Sequence, residues 1–283
     1  MAFILARRDD ARMLDANTVS WQLHADPTMW IAGIASLYLQ ALHPKAVAGV
    51  VQNSNFQADP LGRLKRTADF VGLGVYGTSE EIATAAARVR ATHRSLRAID
   101  QEGRTFRVDE PELLLWVHCA EVHCFETVLD RAGYGLTDRQ KDRYYAEQRF
   151  AATLVGLHEE DVPGSRREMA EYFDAMRPSL RRTADSEVIY EFLHGPPVKG
   201  WLRHGIPLYR VLIGHLAYSV LPEWALELHG HRPYADADRW LRILRRTALL
   251  VPGKVRRMAP PGHLRRAVER EGRHVTPSRS RLP

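Results

Sequence analysis

Cysteine is nearly absent from this chain of 283 residues: Cys119 and Cys124 are the only two. Five residues apart on what reads as one helix, they point in different directions, so neither a disulfide framework nor a four-ligand zinc site is available. Long apolar runs are also missing. With 26% charged residues, no stretch approaches the ~18 uninterrupted apolar positions of a spanning helix. The segment Met1 to Asp10 runs from Ile4-Leu5 straight into Arg7-Arg8-Asp9-Asp10, without the apolar core and small-residue cleavage site of a secretory signal, so a cytoplasmic location is expected. The apolar segment Ile206 to Leu228 is interrupted by Arg210, His215 and Glu223, which argues against peripheral membrane contact.

The net charge of +6 raises the question of nucleic acid, and its placement answers it. From Lys254 to Pro283 nine Lys or Arg face Glu269 and Glu271, a net of +7, so the preceding body is close to neutral at −1. That end holds Pro260-Pro261, Pro277 and Pro283 and no aromatic residue. It reads as a flexible, solvated tail over 254–283 beside one domain over 1–253, and no nucleic-acid partner is expected.

What remains is rich in the 3.6-residue period, and no Asn-Gly or Asp-Gly turn joins two alternating runs. The expected fold is all-α. Capping boxes open helices at Thr78 with Glu81, Thr137 with Gln140 and Ser165 with Glu168. Asp59-Pro60 opens a helix toward Phe70, and Asp109 with Pro111 another that stops near Gly133. Further helices are expected from Met29 to Val51, broken at Pro44, from about Pro207 to Leu221, and from Asp236 to Leu250.

Histidine is the most informative of the chemically able residues. His93 falls on the stripe formed by Ile82, Ala85, Ala86, Val89 and Leu96, while His118 falls on the stripe of Leu114, Leu115, Val122, Phe125 and Leu129. An imidazole there is either a core histidine satisfied by a carbonyl or a ligand. His43, directly before Pro44, marks an interruption that is either a simple kink or an opening toward a ligand pocket. Arg63, Arg66 and Thr67, spaced i, i+3 and i+4, form either a patch able to grip carboxylates or a plain solvated face.

Several stronger-looking patterns fail. Gly72-Leu-Gly74-Val-Tyr-Gly77 spells a dinucleotide fingerprint but follows a helix and lies in no βαβ unit. His118 and His123 stand about 140° apart around a helix and cannot chelate one ion together. A paired di-iron bundle would want two Glu-x-x-His motifs, and only Glu191 with His194 fits. The chain also has no G-x-S-x-G elbow and no P-loop.

Taken in order, Leu42-His43-Pro44, Asp59-Pro60 through Arg63-x-x-Arg66-Thr67, Val75-Tyr76-Gly77, Arg88-Val89-Arg90-x-x-His93 and Leu114-Leu115-Trp116-Val117-His118 resemble the rubber oxygenase (latex clearing protein) and MpaB-type oxygenase family over about residues 20 to 250. The resemblance implies a single globin-like helical domain around one haem b. It puts the proximal iron ligand on His93 and the family's Arg-x-x-x-Thr on Arg63 and Thr67. His118 becomes a pocket or supporting residue and His43 a distal-side one. Two departures bear on the reaction. Where characterised rubber oxygenases carry a lysine able to cover the iron, this chain has Arg66, which cannot ligate. No Asp or Glu lies between Thr28 and Ala58 to act as their base. The resemblance therefore implies an oxygenase using O₂ on a small apolar, isoprenoid-like substrate, with His43 and Arg66 on the reactive side, and not polyisoprene cleavage by that route. A haem-binding sensor or carrier without turnover fits the same motifs.

Overall fold

The chain folds almost entirely into helices, as its periodicity predicts. The computed structural model describes residues 14–54, 58–256 and 262–283; Met1 to Asp10 and Pro260-Pro261 lie outside them. In chain order the first helices are α1 (Val19–Leu23), α2 (Met29–Gln40), α3 (Pro44–Asn53), α4 (Pro60–Tyr76) and α5 (Ser79–Ser95). A short hairpin, β1 (Arg97–Ile99) with β2 (Thr105–Arg107), precedes α6 (Pro111–Arg131), α7 (Asp138–Val155), α8 (Arg166–Met176) and α9 (Ala184–His194). Then come α10 (Ile206–Tyr209), α11 (His215–Ser219), α12 (Glu223–His229), α13 (Ala237–Leu250), α14 (Gly253–Arg256) and α15 (His263–Glu271).

The caps form where the sequence puts them, with two refinements. Both reciprocal hydrogen bonds are made at Thr78 with Glu81 and at Thr137 with Gln140. At Ser165 only the hydroxyl half forms, because the Glu168 carboxylate accepts instead from the Gly164 N–H at 2.7 Å and from Arg149 at 3.1 Å. Helix α6 starts from Glu110 and not Asp109, whose carboxylate is held by the Arg107 guanidinium. The helix expected from Pro207 to Leu221 is broken into α10, a π turn over Arg210–Gly214, and α11. The hairpin was not foreseen. Its strands pair Arg97 with Arg107 and Ile99 with Thr105 across a five-residue loop, in which Gly103 takes a φ of 78°. A search for two-residue turns misses a loop of that length.

The core is centred on α2 and α6, which pack along each other. Ala32, Ala35 and Leu39 of α2 share one buried cluster with Trp116, Cys119 and Ala120 of α6. Small residues on both helices let the backbones approach, and each large side chain fully buried there contributes about 1.5–3 kcal/mol. Helices α3 and α9 complete this central group, while α4 packs on α5 and α15, and α5 on α7.

The basic C-terminal end corrects an expectation. Residues 262–283 are solvated on one side only: Ala267 and Val275 are buried in a cluster with Leu14, Trp21, Val75 and Tyr76. The Trp21 indole N–H donates to the Val275 carbonyl at 2.9 Å, and Arg270 donates to the Tyr76 carbonyl at 3.0 Å. Helix α15 is amphipathic, so its arginines reach outward while Ala267 faces α4. Net charge and proline content describe the surface of such a segment and not its apolar stripe.

Candidate functional site

The proline break sets the geometry of the site. Pro44 cannot continue α2, so the last carbonyls of that helix lose their intrahelical donors. Neighbouring elements supply replacements. The Trp116 indole N–H donates to the Gln40 carbonyl at 3.0 Å, the Ser186 hydroxyl to the Ala41 carbonyl at 2.7 Å, and the Arg181 N–H to the Leu42 carbonyl at 2.9 Å. His43 is the N-cap of α3, its Nδ1 accepting from the Ala46 N–H at 3.3 Å, with its ring beside Trp116. The interruption thus exposes acceptors, as the sequence suggests, and the protein itself fills them.

A narrow cleft, with a cavity volume of about 60 Å³, lies between this kinked pair and α4. One wall is apolar, with Leu37, Val50 and Val117 from the central helices and Phe192 and Leu193 from α9. The other wall is α4, which contributes Arg63, Leu64 and Thr67. A larger depression of about 880 Å³, between α12 and the start of α13, contains none of the site residues singled out from sequence.

Arg63 is half-buried on the cleft. Its Nη1 donates to Thr67 Oγ1 at 2.9 Å and its Nε to Ser54 Oγ at 3.1 Å. Among the described residues its hydrogen-bond partners are these two hydroxyls and no carboxylate. Burial, and then the charge of Arg66, depresses its pKa. A guanidinium so placed is uncompensated, which is costly unless an anion joins it.

His93 stands at the end of α5, half-buried, within electrostatic reach of Arg63. Burial first, then the Arg63 charge, lowers its pKa, with Asp109 opposing. Its Nδ1 is buried without a hydrogen-bond partner. The imidazole is therefore neutral at pH 7, with a ring nitrogen that the protein leaves unused.

The remaining expected residues separate. His118, next to the cleft-lining Val117, is buried with its Nε2 unpartnered, and burial pushes its pKa down to about 4. Arg66 turns outward and pairs with Asp59 at 3.1 Å, so α4 brings Arg63 and Thr67 to the cleft and leaves Arg66 exposed. His43 is engaged in capping. The discarded Glu191–His194 pair also divides: Glu191 is exposed, while His194 lies buried between the Tyr38 hydroxyl at 2.8 Å and His215 at 3.1 Å.

Sequence reasoning missed the α9 wall and did not single out Glu121 from the discarded His118–Cys124 cluster. The first contains only ordinary apolar residues, with no chemical signal. The second sits one turn from His118, and burial pushes its carboxyl up to about 7.

An apolar cleft lined by a half-buried arginine, in an all-α domain that also holds a neutral histidine with an unpartnered ring nitrogen, is a candidate ligand-binding site. Residues 21–251 match the profile of the ER-bound oxygenase mpaB/B′ and rubber oxygenase catalytic domain, and the chain belongs to this family. The family is one of oxygenases, which makes the protein an oxidoreductase by class. No curated protein and no solved structure gives a significant match. Among the described residues, no helix is long and apolar enough to cross a membrane.

Proposed function

We propose that the cleft holds one haem b and that the protein oxidises a small apolar, isoprenoid-like substrate with O₂. The observation that carries this reading is a pairing: Arg63, which lines the cleft half-buried and with no carboxylate partner among the described residues, acts electrostatically on His93, whose Nδ1 has no partner. The donor set fits the group, and α4 would have to move away from the central helices to admit it, because the cavity volume of the cleft is only about 60 Å³. A haem brings its own four equatorial nitrogens, so one neutral imidazole suffices from the protein, and its propionates need cationic partners. In this reading His93 would hold the iron, and Arg63 with Thr67 would hold a propionate.

Bound there, haem supplies the iron centre for O₂ chemistry. The chain's residues do the rest. Leu37, Val50 and Phe192 exclude water and select an apolar substrate. Gln40 offers little to a substrate, because its Nε2 is directed at the Val117 carbonyl at 3.4 Å. His43 Nδ1 accepts from the Ala46 N–H of its own helix, and the residue's role here is to cap α3. Arg66, turned to Asp59, plays no part.

Oxygen uptake by the haem-loaded protein across a panel of isoprenoid alcohols, aldehydes and hydrocarbons tests the proposal. Uptake matched by substrate loss supports it. Spectral shifts on ligand addition without any uptake would replace it with a haem-binding sensor or carrier.

A further inference from the structure

The segment after α9 exposes what a globular chain ordinarily hides. Between Lys199 and Leu212, Trp201 is 81% exposed, Leu208 64%, Val211 52% and Leu212 42%. Trp201 lies in a 3-10 stretch over Gly200–Gly205, Leu208 in α10, and Val211 with Leu212 in the π turn, so the exposed apolar side chains come from consecutive parts of one continuous segment. Ile206, Tyr209 and Ile213 are half-buried beneath them and anchor the segment to the body. The outward face is therefore an ordered part of the fold.

Charge in this segment has one sign. Lys199, Arg203 and Arg210 are exposed, and the chain has no Asp or Glu between Glu191 and Glu223. Two-fold self-association would set this cationic patch against its own copy, which like-charge repulsion opposes. A surface with exposed tryptophan and aliphatic side chains flanked only by cations matches the interface of an anionic bilayer, where Trp sits at headgroup depth and Lys or Arg reaches the phosphates.

We propose that residues 199–212 form a peripheral docking surface for an anionic lipid bilayer. The apolar face of Trp201, Leu208, Val211 and Leu212 enters the headgroup boundary, and Lys199, Arg203 and Arg210 pair with lipid phosphates. The proposal departs from the expectation drawn from sequence, where Arg210 counts as an interruption; on the folded surface Arg210 is exposed beside the apolar residues. The inference does not depend on haem or on the cleft.

Flotation of the full chain with vesicles of phosphatidylcholine alone, and of phosphatidylcholine mixed with phosphatidylglycerol, tests the proposal. The protein is expected to float with the mixed vesicles and to be released by salt. Replacing Lys199, Arg203 and Arg210 by Gln should reduce partitioning on the order of 100-fold, since each cation near the surface contributes roughly fivefold. Trp201→Glu with Leu208→Glu should abolish flotation while leaving the helical circular dichroism unchanged, because both side chains are exposed. Failure of the wild type to float with mixed vesicles, or undiminished flotation of the double Glu variant, would overturn the proposal. A dimer in sedimentation equilibrium that Trp201→Glu disperses, in a protein that ignores vesicles, would assign the face to self-association.

Discussion

Replacing Arg63 by leucine should move two properties in opposite directions. In the protein without haem, the half-buried guanidinium is satisfied by two hydroxyls, Thr67 at 2.9 Å and Ser54 at 3.1 Å, and by no carboxylate. Leucine removes an uncompensated charge from a partly apolar cleft and abandons two hydrogen bonds worth about 1 kcal/mol each. Thr67 Oγ1 keeps the Arg63 carbonyl at 3.3 Å as an alternative acceptor. The two effects offset, so the stability of the haem-free protein should change by less than about 1 kcal/mol. Haem retention should suffer more. A charge-assisted contact to a propionate contributes about 1.5–3 kcal/mol, which weakens affinity roughly ten- to a hundredfold. Denaturant unfolding of the haem-free protein and haem titration followed by absorption measure the two quantities. Destabilisation beyond about 2 kcal/mol with unchanged haem affinity would refute the reasoning and return α4 to a structural face.

Three further outcomes follow from the same geometry. His43→Ala should cost about 0.5–2 kcal/mol through loss of the α3 cap, His43→Asn should restore most of it, and both should leave haem content unchanged; loss of haem in both variants would place His43 at the iron. Truncation after Arg256 removes the Val275 acceptor from the buried Trp21 indole and uncovers Val75 and Tyr76, so the denaturation midpoint should drop by an amount equivalent to about 3 kcal/mol or more; an unchanged midpoint would show that this end contributes nothing to the fold. His118 and His229 are both buried, with pKa values lowered to about 4, so the unfolded chain binds more protons than the folded one between pH 6.5 and 4. Stability should therefore fall as pH is lowered through that window, by up to about 3 kcal/mol per histidine. Glu121, raised to about 7, works in the opposite sense, favouring the folded state below pH 7, but is outweighed. Acid unfolding followed by circular dichroism should thus have its midpoint above pH 4, and a protein fully folded at pH 3.5 would contradict this.

Fold and site were legible in the sequence to different degrees. Capping residues act within one turn of their own chain, so Thr78, Thr137 and Pro60 mark real helix starts. His93 is locally readable too, because its stripe on α5 is set by spacing alone. Partition of the α4 cations was not: Arg63 and Arg66 are one turn apart, and only the position of the central helices decides that the first faces the cleft. His43 shows the complementary difficulty. A histidine before proline reads equally as a pocket residue or a simple kink, and the tertiary donors Trp116, Ser186 and Arg181, 76 or more residues away from their acceptors in sequence, settle what the break does. Composition misled at the C-terminus, where arginine density obscured the contacts of Ala267 and Val275, and at residues 199–212, where exposure could not be read from apolar content.

The central claim, that His93 holds a haem in the α4 cleft, is tested most directly by titrating haem into the purified protein and its His93→Ala and His118→Ala variants while recording the Soret band. Wild type should saturate at one equivalent. His118→Ala should keep that stoichiometry, and His93→Ala should lose tight binding while its helical signal persists. Retention of haem by His93→Ala with loss in His118→Ala would transfer the ligand to α6, and no saturable Soret change in the wild type would contradict the account altogether.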